Sequence, residues 1–334
     1  MRKSRLKFEG SGHYHCMSRV IEKRFIMGNH EKEYFVERMR NLAIFSGLRV
    51  LTYCIMSNHF HILLECPQRQ EVSDRELLNR LQAIYPPKKV ARVATELAQL
   101  RKHGQHDSAE ALKSGFTYRM YDISTYFKSL KQCFSQWYNK RNDRIGPLWN
   151  QRFKSVMVEG SGYSLSTIAA YIDLNPVRAG LVADPLKYRH CGYAAALGGN
   201  QAAREGIRGI WLGVGAEASW KRVHCQYRKL LFLQGENRQH GQRINQQAGF
   251  SKESVKQVLE EDGSLSKEQL LRCRVRYFSD GVAIGSRAFV EEIFQASRDW
   301  FGHRRKTGAR TMRNVKDIGL VSMRDLQVSP ISLQ

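Results

Sequence analysis

The chain has 334 residues, with 54 Lys+Arg against 31 Asp+Glu and a formal net charge of +23. A field of that size favours a polyanionic partner, nucleic acid first and an anionic membrane surface second. It is joined by 42% hydrophobic residues, enough for a packed core, but by no apolar run near the roughly 20 residues needed to cross a bilayer.

The seven cysteines are scattered, odd in number and without a C-x-x-C pair, which argues against a disulfide framework or a structural zinc site and fits a reducing cytosol. Met1–Lys7 is basic but lacks the apolar stretch of a signal peptide. The expected location is the cytoplasm, in association with the nucleoid.

In chain order, residues 13–20 predict a first strand ending at Arg19. Tyr34, Phe35, Met39, Leu42 and Phe45 recur at helical spacing and predict a helix over 31–47, stopped by Gly47. Val50–Met56 is apolar and β-prone, Ser57-Asn58 reads as a tight turn, and Phe60–Leu64 as the second strand of a hairpin. Residues 68–115 turn polar, charged and helix-prone around Pro86-Pro87, and read as an inserted lobe or a mobile arm. Tyr126, Phe127, Leu130, Phe134 and Trp137 predict a helix over 122–140; residues 148–158 predict a strand; 163–174 predict a helix stopped by Pro176. Strands with helices mostly between them, all before residue 180, point to an α+β sandwich: a small antiparallel or mixed sheet covered on one face.

Beyond that, Gly198–Gln201 and the Gln/Asn/Gly-rich stretch 234–249 read as linkers around a Lys/Arg-rich helix near 219–232. Residues 251–260, 266–278 and 286–301 are helix candidates, and the turn at Gly281–Gly285 makes a helix-turn-helix reader or an ordinary helical hairpin possible. Arg304-Arg305-Lys306, Arg310, Arg313 and Lys316 form a basic tail suited to phosphates. The expected division is a catalytic domain over 1–195, a connecting region over 196–250, and a mainly helical, basic region over 251–334.

The chemistry concentrates in Asn58-His59-Phe60-His61. Residues two apart in a strand share a face, so His59 and His61 project together while Phe60, Ile62 and Leu64 face a core. Two neutral imidazoles about 7 Å apart at the backbone can converge on one divalent ion able to polarise a phosphate, or they can be two histidines on a wet sheet face. His13-Tyr14-His15 has the same spacing and no second element to pair with it. On the helix that ends at Pro176, Tyr171 and Asn175 lie four apart along one edge of the apolar face. A buried amide needs partners, and an imidazole-held cation would be one. A phenol beside it could act as a nucleophile if its oxyanion were stabilised, or could simply pack helix on sheet.

The string Asn58–Glu65 resembles the histidine–hydrophobe–histidine motif of single-tyrosine transposases, and Tyr171–Gly180 resembles the nucleophile helix of their REP-associated branch. His15–Arg19 and Gln151–Ser155 also look like that family, so the resemblance spans roughly residues 8–195 apart from the insert. It implies a ferredoxin-like α+β core with both histidines on a central strand. It also implies that Tyr171 attacks a phosphodiester of hairpin-bearing single-stranded DNA, leaving a 5′-phosphotyrosine link and a free 3′-OH, with His59, His61 and Asn175 holding Mg²⁺ or Mn²⁺. Asn175 stands where many relatives outside this branch carry Gln. Arg19, Arg152 and Lys154 are the expected DNA contacts, or else solvated charges at a sheet edge. A non-cleaving hairpin DNA/RNA-binding regulator derived from a transposase is the rival reading, and a replication or relaxase-type nickase is a weaker one. No G-x-x-x-x-G-K-[ST] loop signals a nucleotide cofactor or fused motor. A monomer or homodimer is expected, with no membrane partner.

Overall fold

The structure is a computed structural model that describes residues 5–211, 219–232, 267–272, 274–313, 315–323 and 331–332. The linker reading at 234–249 and the helix reading at 251–260 lie outside the described residues.

Its centre is a six-stranded, mostly antiparallel sheet. The strands are β1 (Gly12–Arg19), β2 (Arg49–Ile55), β3 (His59–Cys66), β4 (Lys154–Val158), β5 (Ala283–Gly285) and β6 (Val321–Ser322), in the order β2-β3-β1-β4-β5-β6. β1 lies between β3 and β4, with Arg19 opposite His59, Met17 opposite His61 and Cys16 opposite Ser155. β5 pairs parallel with β4, and β6 returns antiparallel to β5.

Alternation assigns each strand's residues to two cores. Tyr14, Cys16, Phe60, Ile62 and Leu64 pack with Phe35, Met39 and Leu42 of α1 (Asn29–Ser46) and Phe127, Leu130 and Phe134 of α2 (Ile123–Arg141). Met17, Cys54 and Leu63 pack on the opposite face with Leu165, Ile168 and Ile172 of α3 (Gly162–Asp173). The α+β class with an antiparallel core is as read. Helices cover both faces of the sheet, where one was expected. Period-2 patterning makes the even-numbered face of β1 and β3 visibly apolar, but the other face is closed by a helix whose partners are partly polar.

α1 ends at Gly47, whose left-handed φ of 68° is the conformation glycine adopts without strain. The 68–115 segment forms three helices, Asp74–Gln82, Pro87–Lys102 and His106–Thr117, whose Leu77, Leu81, Val93 and Leu97 close a small separate core with Phe45. It is a packed lobe. On the far side of α3 lie α4 (Gly192–Leu197), α5 (Gln201–Ile210) and α6 (Trp220–Leu231). Asp173, the last residue of α3, ties them together. Its carboxylate accepts from the Thr52 hydroxyl at 3.0 Å, the Tyr193 amide at 3.2 Å and the Tyr227 hydroxyl at 2.5 Å. Full burial pushes that carboxyl up to about 7 while its donors pull it down.

Among the described residues the C-terminal region carries strand as well as helix. Between the short helix at Lys267–Arg272 and α7 (Arg287–Ala296) the chain builds the strand β5, so these described residues form no helix-turn-helix. Ala283 and Ile284 are fully buried against the main sheet. Three small or β-branched residues with only three positions of alternation carry too little pattern to reveal a strand that adds to an existing edge.

Candidate active site

β3 begins at His59, straight after the Ser57-Asn58 turn, so both histidines sit at the strand's first turn-proximal positions on the face that α3 covers. Asn58 braces the first: its amide nitrogen donates to the Lys23 carbonyl at 2.9 Å, which leaves its Oδ1 to accept from His59 Nδ1 at 2.6 Å. His61 is buried, with its ring centroid 5.3 Å from that of His59. Burial and the neighbouring imidazoles hold the His61 pKa well below its ordinary value, so it is neutral near pH 7.

α3 carries Tyr171 across the cleft, its ring edge-on to His61 with centroids 6.2 Å apart. Pro176 does not end the helical path. Leu174 breaks it, and a short turn over Asn175–Arg178 restarts with Pro176 in its first positions, where a missing N–H costs nothing. That restart brings the Asn175 amide nitrogen to 3.5 Å from His59 Nε2, at the long limit of a hydrogen bond. It also lays the Arg178 guanidinium over the Tyr171 ring at 3.9 Å, held by a 2.9 Å bond to the Leu271 carbonyl.

His59, His61, Tyr171, Asn175, Arg19, Arg152 and Lys154 all line one cavity of about 590 Å³. Lys23, Arg178 and Arg276 line it as well, with Asp280 on its wall. Arg152 and Lys154 are exposed at its mouth, and Lys154 pairs with Asp280 at 2.6 Å.

Three contributors escaped sequence reasoning. His15, fully buried, reaches His61 through a 2.9 Å ring–ring hydrogen bond. Phe278 packs edge-on against Tyr171 with centroids 5.0 Å apart. Arg178 lies within the Tyr171–Gly180 stretch, where the sequence alone gives it no role. Of the His13/His15 pair only His15 enters the site, while His13 lies 3.9 Å from Glu65.

Among the described residues no cluster of three or more His, Cys, Asp or Glu side chains converges as a metal cage. Two imidazoles and an amide oxygen are a partial donor set for a hard cation. They fit an ion that keeps waters and takes further oxygens from a phosphate, as Mg²⁺ commonly does.

Residues 10–96 match the family model of IS200-like transposases. The likeness read from the motifs is therefore to that family, over about a quarter of the chain, in a stretch that includes β1, the hairpin and both site histidines but not Tyr171 or Asn175. No curated protein matches the sequence. A solved structure of a REP-associated tyrosine transposase bound to a REP hairpin aligns with a TM-score of 0.39 at 10% identity, covering 60% of this chain and 87% of that one. No described helix is long and apolar enough to cross a membrane.

Proposed function

We propose that the chain cleaves and rejoins hairpin-bearing single-stranded DNA through a covalent link to Tyr171, as a REP-type transposase would. One observation carries the reading: side chains from β3 and from the helix crossing it, His59, His61, Tyr171 and Asn175, converge on one cavity ringed by Arg19, Lys23, Arg152, Lys154, Arg178 and Arg276. Such a ring suits a polyphosphate strand, and the phenol lies beside the imidazoles.

The phenolic oxygen of Tyr171 attacks phosphorus in line with the departing 3′ oxygen. The Oη–P bond forms and the P–O3′ bond breaks. The phenol loses its proton, and a proton ends on the 3′-OH, so the exchange is neutral overall. Since one phosphodiester replaces another, rejoining needs no nucleotide. Arg178, stacked on the ring, favours the developing phenolate. Arg19, Arg152 and Arg276 hold neighbouring phosphates and fix the scissile one against the phenol, and positioning is the main demand of phosphoryl transfer. His59, His61 and the Asn175 amide oxygen would hold Mg²⁺ or Mn²⁺, which supplies Lewis-acid neutralisation of phosphate charge when bound.

The test is incubation of the full chain with a 5′- or 3′-labelled hairpin oligonucleotide and Mn²⁺, followed by denaturing electrophoresis. A protein–DNA adduct retaining the label 3′ of the cut is expected, absent in Tyr171→Phe. Tight hairpin binding with no adduct under any divalent ion would favour the non-cleaving regulator.

A further inference from the structure

His15 sits on β1 two residues from Met17, the register partner of His61, and on the same sheet face. Its Nδ1 lies 2.7 Å from the Phe278 carbonyl oxygen, 263 residues further along the chain. A carbonyl only accepts, so His15 Nδ1 carries the proton. In a neutral ring Nε2 is then an acceptor, and its partner at 2.9 Å, His61 Nδ1, must donate. The lone pair of His61 is thereby left on Nε2. His59 reaches the same tautomer separately, because its Nδ1 donates to Asn58 Oδ1.

We infer that His15 is a positioning residue. Anchored on the Phe278 carbonyl, it locks His61 as the Nδ1–H tautomer and so makes Nε2 the nitrogen offered to a ligand. The C-terminal region, through Phe278, is thus part of the site. A free imidazole prefers its proton on Nε2, which would present His61 with a hydrogen where a lone pair is needed. Backbone and side-chain acceptors behind ligating histidines serve this purpose generally. Here the acceptor is a second histidine, itself set by a carbonyl that the C-terminal region supplies. The value of the lock for a cation rests on the function proposed above; the tautomer itself does not.

The two are separated by one experiment on metal-free, full-length protein with ¹⁵N-labelled histidines. Long-range proton–nitrogen correlation should report His61 as Nδ1–H in the wild type. In His15→Phe it should become mixed or Nε2–H. His15→Gln, whose amide oxygen can accept from His61 Nδ1, should restore the wild-type pattern. Mn²⁺ titration in the presence of hairpin DNA should then show affinity falling roughly 10–100-fold in His15→Phe and recovering in His15→Gln. His61 found as Nε2–H in the wild type would overturn the inference, and so would a tautomer unmoved in His15→Phe; the wild-type spectrum decides even if that variant does not fold. A wild type with the expected tautomer that binds no Mn²⁺ would sink the metal reading and leave this one standing.

Discussion

At the residue scale, the site depends on a few side chains whose removal has separable effects. His59→Ala and His61→Ala should each slow strand cleavage on the order of 100-fold while leaving hairpin affinity within a few-fold, measured by single-turnover assays beside filter binding. A parallel loss of binding would mean that the imidazoles contact DNA directly. That His59 and His61 share a face, and that Tyr171 and Asn175 share a helix edge, is legible from strand and helix periodicity. Singling them out as a site comes from the motif resemblance, and the structure brings the four to one cavity. The part played by His15 is not legible. The His13/His15 pair has no partner element in the sequence, and the role of His15 depends on a carbonyl far along the chain and on which ring nitrogen meets it, neither of which leaves a trace in spacing.

At the element scale, the hairpin, α1 and the 122–140 helix were legible because long amphipathic stretches and the Gly47 stop agree with one another. The 148–158 strand was overread. Only Lys154–Val158 forms strand, while Trp149 meets Val20 in an isolated bridge and packs edge-on or tilted among Phe35, Phe60 and Phe134. Aromatic content mimicked β-propensity there. Close packing on the site-bearing side yields a stability prediction. A Cβ on Gly206 would stand 2.4 Å from the Val50 carbonyl and 2.6 Å from that of Leu51, backbone that cannot give way without parting α5 from β2. Gly206→Ala should lower stability by about 1–3 kcal/mol in urea denaturation, since overpacking costs that much. Asp173→Ala should cost about 3 kcal/mol, because it leaves the Thr52 and Tyr227 hydroxyls and the Tyr193 amide buried without their acceptor. A loss under 1 kcal/mol in both would show that this face is loosely packed.

At the scale of the whole molecule, the net charge of +23 becomes a local device only where the fold gathers it. If all six cleft cations engage one strand, log affinity should fall against log salt with a slope near −4, from roughly 0.7 per phosphate contact on single strands. Arg152→Ala should flatten that slope by about 0.7. Lys154→Ala should change it less, because Asp280 already offsets that charge. One buried histidine should also cost stability in acid. His190, near the Asn29 amide oxygen, is pushed down to about 4 by burial, with Lys32 and Arg189 adding to the shift and Glu33 opposing it. At this site the unfolded chain binds more protons than the folded one between about pH 6.5 and 4, whereas Asp173, raised to about 7, acts with the opposite sign. The urea midpoint of the wild type should therefore fall relative to that of His190→Gln as pH drops through that window.

Attachment of DNA to one particular phenol is the claim on which the rest depends. Tryptic digestion of the adduct releases Ser155–Arg178, which holds both Tyr163 and Tyr171. Fragment-ion mass spectrometry should place the nucleotide remnant on Tyr171. A remnant on Tyr163 or elsewhere, or an adduct that survives in Tyr171→Phe, would contradict the account.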